Sequence, residues 1–451
     1  MTRNTRRRFL RWCAASGIAG LAGCSSLGFD DSGDDNSVTE LSDEVETATA
    51  TDGEAATPPE TATRDVTVAP DTDAPVDVRG AIYIPARAFN FYQMWRDYDH
   101  EITDRDLGYA EEVNLNAIRT WGSYEFWKED PEGFFEAFED LASTADDHGI
   151  RVLIGLFEGI GNQPTRANLE DEDLMTATGV ASPSNKVLSD RSRWEDTRKF
   201  TRQFMDRYAD DDRLLAIEVM NEPGWNSRRV AFSKAMYETM WEMRGSVPLT
   251  IGATSMAKNA KYADWNLDLF QFHYNFPTTQ EDFRDALRQV VTLDENMDQP
   301  VMLTEWQRVR SGAGFHTAPP REQRTPDYAS MAPTITEMGV GNFFWSLMLQ
   351  PAYFSSQREV GILNGLFHED GAVWSLEDAR AIKAMSGEDS VEGLEERQLW
   401  PKWTEPIKQE VYGESVGTET PEESTADTPT EAEAEDETPS GDSESAEASD
   451  A

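Results

Sequence analysis

Ala216-Ile-Glu-Val-Met-Asn-Glu-Pro223 and Pro300-Val-Met-Leu-Thr-Glu-Trp306 decide how this chain is read. Each is a short apolar run that stops at a carboxylate, Glu222 in the first and Glu305 in the second. Short apolar runs of this kind are the mark of strands buried on both faces, as in a parallel sheet. Six more runs share the character: Gly80-Ala-Ile-Tyr-Ile84, Asn116-Ala-Ile-Arg-Thr-Trp121, Arg151-Val-Leu-Ile-Gly-Leu-Phe157, Pro248-Leu-Thr-Ile-Gly252, Leu269-Phe-Gln-Phe-His-Tyr274 and Gly341-Asn-Phe-Phe-Trp-Ser-Leu347. Helical patterns fill the intervals. Eight strands alternating with helices through right-handed crossovers predict a (β/α)8 TIM barrel. An open doubly wound sheet is the alternative, and no Gly-rich phosphate turn follows the first run to support it.

The clearest helix follows Asp130-Pro131. Proline suits the first helical position, and Phe134, Phe135, Phe138, Leu141, Ala142 and Ala145 then form a stripe of period 3.6 that Gly149 closes. The intervals from Glu158 to about Ser192 and from Arg310 to Pro326 read as polar loops on the side of the strand C-termini, where long loops line or cover a site. The aromatic segment Arg87-Ala-Phe-Asn-Phe-Tyr-Gln-Met-Trp-Arg96 is expected to add a subsite of its own.

Both ends of the chain are of another kind. Thr5-Arg6-Arg7-Arg8-Phe9-Leu10-Arg11, followed by small apolar residues up to Leu21-Ala22-Gly23-Cys24, resembles a twin-arginine export signal ending in a lipobox. The stretch 12–23 falls short of the about 20 apolar residues of a membrane span. Cleavage before Cys24 and lipidation of its thiol are expected, anchoring the protein to the outer face of the cell membrane. Cys13 lies within the signal, so Cys24 would be the sole cysteine left and no internal disulfide can form. Residues 25–75 and 410–451 are acidic, rich in Thr, Ser and Pro and poor in large apolar residues, and read as a disordered spacer and a disordered tail. Between them, 76–409 is one barrel-sized domain, preceded by the signal at 1–24.

The net charge of −45, with nine lysines among forty basic residues, makes nucleic acid and anionic membrane surfaces poor partners. It suits a salt-loving organism, because molar salt shortens the Debye length to about 3 Å and removes the self-repulsion of a carboxylate surface. The five histidines, at 100, 148, 273, 316 and 368, lack zinc-site spacing, so neither metal nor cofactor is expected. No Gly-Xaa-Ser-Xaa-Gly elbow points to an esterase.

In a barrel of parallel strands the C-terminal ends converge on one mouth, so Glu222 and Glu305 are expected to face each other there. Two facing carboxylates are the minimal equipment for cleaving a glycosidic bond. Taken singly, each is as readily an ordinary solvated loop glutamate. Their contexts weigh against that. Asn221-Glu222-Pro223 at the fourth run, Thr304-Glu305-Trp306 at the seventh, Arg119 in the second, His273-Tyr274 at the sixth and Phe344-Trp345-Ser346 at the eighth together resemble the clan A retaining glycoside hydrolases, and within that clan the family 5 cellulases and mannanases. The resemblance covers about Val78 to Ser386.

That resemblance implies a hydrolase of β-linked glycans, β-glucan or β-mannan in class, working by double displacement on a polysaccharide or oligosaccharide. Glu222 is then the general acid/base and Glu305 the nucleophile, with the charge of Glu305 raising the proton affinity of Glu222. Arg119 is expected to hold Glu305 ionised, or else to form a structural ion pair at the rim. Asn221 is expected either to donate to a sugar 2-hydroxyl or to cap the turn after its strand. Tyr274 is a candidate donor to the nucleophile, and His273 either a polar neighbour of the acid/base or a buried ring satisfied by backbone. Trp345 resembles the platform beneath the sugar in the catalytic subsite. Trp121, Trp225 and Trp306 fall just past strand ends, where aromatics serve the cleft or the core. Met220 stands where the clan often has a polar residue, which leaves the subfamily open. A transglycosylase remodelling surface glycans and a catalytically silent glycan-binding barrel are the competing functions.

Overall fold

A computed structural model describes residues 77–275, 277, 279–296, 299–307, 327–351, 358 and 363–412 of the 451. The export signal, Cys24, the whole acidic spacer, the interval 310–326 and the tail beyond 412 lie outside these described residues.

All eight apolar runs are parallel strands: β1 (Arg79–Ile82), β2 (Ala117–Trp121), β3 (Arg151–Gly155), β4 (Leu214–Glu218), β5 (Leu249–Thr250), β6 (Phe270–His273), β7 (Val301–Gln307) and β8 (Asn342–Trp345). Their order is β5-β4-β3-β2-β1-β8-β7-β6, the sequential order of a barrel read around its wall. Across the seam between β5 and β6, Asp268 N–H donates to Leu249 O and His273 N–H to Ala253 O, each at 3.0 Å. Those bonds close the (β/α)8 barrel. Such closure leaves the barrel sheet without an open edge among the described residues.

Helices His100–Glu112, Pro131–Asp147, Trp194–Tyr208, Ser227–Glu242, Gln280–Asp294 and Tyr328–Met338 pass back along the outside, and Leu376–Ala384 follows the last strand. Pro131–Asp147 shows why. Asp130 caps it by accepting from Gly133 N–H, Pro131 opens it, and the six apolar residues of its stripe are all buried. Phe138 meets Phe204 and Tyr208 of the neighbouring helix at centroid separations of 5.1 and 4.8 Å. Each fully buried aromatic of this kind contributes about 1.5–3 kcal/mol of transfer free energy. Only between β5 and β6 is the connection different, a 3-10 helix at Met256–Lys261. Among the described residues no helix is long and apolar enough to cross a membrane.

Two expectations need correction. β4 ends at Glu218, itself a carboxylate, and Glu222 stands four residues further on, in the loop. In the aromatic segment after β1, Phe91, Tyr92, Met94 and Trp95 form a buried helix face, with the Phe91 ring 4.9 Å from that of Trp121. Those four rings and side chains serve the core; they do not form an open subsite.

Candidate active site

The mouth is organised around one fully buried guanidinium. Arg119 on β2 donates from Nη2 and Nε to both oxygens of Glu218 at 2.8–3.0 Å, and from Nη1 to Glu305 Oε1 at 2.8 Å. Its Nη2 also reaches Asn221 Oδ1 at 2.9 Å, and its Cζ lies 4.3 Å from the centroid of the Trp121 ring. Burial opposes the charge on Arg119, but the Glu218 and Glu305 carboxylates more than offset it, so the group holds its proton more tightly than usual. Gly252 past β5 makes room for this: a Cβ there would stand 2.8 Å from Glu218 Oε1 and 3.0 Å from Arg119 Nη2 and Asn221 Oδ1. Only glycine fits.

Irregularities in β6 and β7 aim the site. The register shifts between Phe272 and His273, which sets His273 directly opposite Glu305, and β7 shifts again against β8 between Leu303 and Trp306. Bulges of this kind redirect side chains without ending the sheet. His273 Nδ1 lies 2.5 Å from Glu222 Oε1 and 3.4 Å from Glu305 Oε2. Burial pushes the imidazole down to about 4, so the ring is neutral and shares a single hydrogen bond with Glu222.

Glu222 itself is mostly enclosed, with 16% of its side chain exposed. Burial raises its carboxyl to about 7, against the pull of the Arg119, Lys258 and Arg229 charges. The expected lift from the charge of Glu305 is not the cause; desolvation is. Its backbone sits at φ 42°, in the left-handed region that a glutamate seldom occupies. Bonds on either side hold it there: Glu222 N–H to Gly252 O at 3.1 Å, and Gly159 N–H to Asn221 O at 2.8 Å.

A third acid stands beside these. Glu158, just past β3, is buried and accepts from Asn221 Nδ2 on both oxygens at 3.0 Å and from Ile160 N–H at 2.7 Å. Burial raises its carboxyl well above the usual range, reinforced by the Glu305 and Glu222 charges. The site thus sets one guanidinium against four carboxyls. Glu218 and Glu305 take the ion pairs with Arg119, and the other two, Glu158 and Glu222, are those whose carboxyls burial raises.

The structure brings Arg119, Asn221, Glu222, His273 and Glu305 into one connected cluster. The Asn221 amide spends its hydrogen bonds on Glu158 and Arg119. Tyr274 takes another place than expected: its ring stacks on Phe283 at 5.9 Å, and it is Asn275 Nδ2 that donates to Glu305 Oε2, at 3.0 Å. Trp345, half-buried at the end of β8, lies 6.1 Å from Trp121. Trp121 and Trp306 are core residues with no exposure, whereas Trp225 is 61% exposed. Glu158, Glu218, Gln271 and Asn275 were not singled out from sequence. Gln271 Nε2 bonds Glu218 Oε2 at 3.0 Å.

Among the described residues, Glu222, His273 and Glu305 converge as metal ligands do, one atom of each lying within 4.8 Å of the others. The contact between His273 and Glu222 is nevertheless that of a hydrogen bond, since two ligands of a tetrahedral zinc stand about 3.3 Å apart.

No family model matches the chain, and no curated protein matches it significantly. Solved structures do. An exo-beta-1,4-mannosidase, Op5Man5 from Opitutaceae bacterium strain TAV5, superposes with a TM-score of 0.51 at 15% identity, over 68% of this chain and 58% of that one. The chain therefore spans less than two thirds of that mannosidase. GH5_18 from Streptomyces cattleya in complex with GlcNAc gives 0.50 at 14% identity, over 71% of this chain and 82% of that one. A variant of it in complex with Manb1-4GlcNAc gives 0.51 at 12%, over 71% and 83%. At this identity the likeness is one of fold.

Proposed function

We propose that this protein is a retaining glycoside hydrolase that cleaves β-linked glycans, with Glu305 as nucleophile and Glu222 as acid/base. The observation that carries the reading is the placement of those two side chains, with oxygens within 4.8 Å of each other across His273. Retaining enzymes hold their carboxyls about 5–5.5 Å apart, while inverting ones leave about 6.5–9.5 Å for a water. The approach of the two oxygens supports the retaining arrangement.

In the first step a Glu305 oxygen attacks the anomeric carbon, the glycosidic C–O bond breaks, and the Glu222 carboxyl gives its proton to the leaving oxygen. In the second, Glu222 takes a proton from water, the water oxygen attacks the same carbon, and the ester to Glu305 breaks. Arg119 and Asn275 hold the two oxygens of Glu305 between these steps.

The names of the similar structures favour a β-1,4-linked, mannose-containing substrate within this class. A panel of β-mannan, β-glucan and their oligosaccharides, read by reducing-end release, tests the reading. Activity on a β-mannan supports it, and no release from any β-linked substrate by folded protein contradicts it. We also propose twin-arginine export and lipid attachment at Cys24, supported by the sequence of residues 5–24.

A further inference from the structure

The interior of a (β/α)8 barrel is ordinarily filled by layers of branched apolar side chains. Here one layer is polar. Glu218 of β4 has no exposure, and Arg119 of β2 reaches it although β2 and β4 are not neighbours in the sheet, so the contact crosses the interior. Gln271 of β6 donates to Glu218 Oε2 at 3.0 Å and lies 3.1 Å from Thr250 Oγ1 of β5, which in turn donates to Leu269 O at 3.0 Å. Residues of four strands thus fix the Glu218 carboxylate.

That carboxylate directs the guanidinium. Arg119 Nε and Nη2 form a fork on Glu218, which sets the plane of the group, and Nη2 also meets Asn221. Nη1 is left to point at Glu305 Oε1, at 2.8 Å, and at Thr304 O, at 3.4 Å. A cation buried this deeply needs a counter-charge. One carboxylate would supply it, yet there are two, and the Glu218 charge holds the Arg119 proton more strongly than the Glu305 charge does. Glu305 therefore has a share of the guanidinium charge and not the whole.

The two steps of double displacement make opposite demands on Glu305. In the first, its oxygen bonds the anomeric carbon and its negative charge is lost; in the second, that bond breaks and the charge returns. Stronger pairing with Arg119 stabilises the free carboxylate, so it slows the first step and speeds the second. We propose that Glu218 is a positioning residue that aims Arg119 and divides its charge, keeping Glu305 reactive enough to attack. The inference rests on Glu305 being the nucleophile.

Glu218→Gln in the full chain keeps the shape and removes the charge. The first step is read as kcat/KM on 2,4-dinitrophenyl β-mannoside, and the second as hydrolysis of the ester left by 2-deoxy-2-fluoro-β-mannosyl fluoride, followed by mass spectrometry. The variant should lose roughly tenfold or more in the first and gain roughly threefold or more in the second. A residue that only shapes the site would slow both steps, so a loss in both, or a change in neither, would overturn the proposal. Should the glutamine variant not fold, Gln271→Met reads the same balance from the other side. It strips a competing donor from Glu218, so the first step should gain on the second by roughly threefold, and an unchanged ratio would overturn the proposal. Peptide mapping of the labelled parent keeps the two readings apart: label absent from Glu305 removes the nucleophile and this inference together, whereas a failed step ratio leaves the hydrolase reading intact.

Discussion

Asn221 Nδ2 donates to both carboxylate oxygens of Glu158 at 3.0 Å, while its Oδ1 accepts from Arg119 Nη2 at 2.9 Å. Arg119 in turn binds Glu305, so a line of hydrogen bonds runs from the end of β3 to the proposed nucleophile. Its place in that line makes Glu158 a positioning residue, since it bonds Asn221 and not the proposed nucleophile.

Glu158→Ala would leave the buried Asn221 amide without its acceptor, at a cost of about 1–3 kcal/mol. Steady-state kinetics should show kcat falling roughly 10- to 100-fold with KM little changed, if the loss falls on transition-state alignment. Glu158→Gln, which keeps one acceptor oxygen, should recover most of it. An unaltered kcat in the alanine variant would remove Glu158 from the line.

The pH dependence follows from Glu222. Its carboxyl is held at about 7, so activity should fall on the alkaline side with a midpoint near that value as the acid is lost. Stability moves with it. Below the ordinary 4.5 the group is protonated in both the folded and the unfolded chain. As pH rises from there through about 7 the unfolded chain ionises first, and the folded state loses up to about 3 kcal/mol relative to it. Glu222→Gln never ionises. Its melting temperature should exceed that of the parent at about pH 8, and the excess should vanish by about pH 4. A constant difference across that range would place the cause elsewhere.

Asn275 and Tyr274 make a paired test. Asn275→Ala removes a hydrogen bond to a charged oxygen, worth about 1.5–3 kcal/mol, so kcat should fall roughly 10- to 100-fold. Tyr274→Phe keeps the ring on Phe283 and should change kcat by less than about threefold. The reverse ranking would restore Tyr274 as the donor to Glu305.

For location, Cys24→Ser should release the protein to the medium or leave it unprocessed, and replacing Arg6 and Arg7 by lysine should trap it inside the cell. Fractionation and blotting read both outcomes. Unchanged membrane attachment of the Cys24→Ser protein would mean that the anchor lies elsewhere.

Much of the barrel was legible because its strands are buried on both faces and so appear as apolar runs, each of the eight overlapping its strand. Glu222 and Glu305 were legible from the residues beside them. What stayed hidden depends on contacts between runs. Glu218 reads as an interruption in a strand until Arg119 and Gln271 are seen to converge on it. Glu158 reads as the start of a loop, and only Asn221, brought from the loop after the next strand, gives it a role. The register shift at His273 moved the donor to Glu305 one residue past the tyrosine that was expected. Strand ends alone likewise do not show that Trp121 and Trp306 are buried in the core while Trp225 stands open to solvent.

The most direct test of the double-displacement reading is the anomer first released from a β-mannan oligosaccharide, followed by proton NMR before mutarotation. A covalent glycosyl ester on Glu305 requires two inversions, so the β-anomer should appear first. First appearance of the α-anomer would contradict the mechanism and show that a water, not Glu305, attacks the sugar.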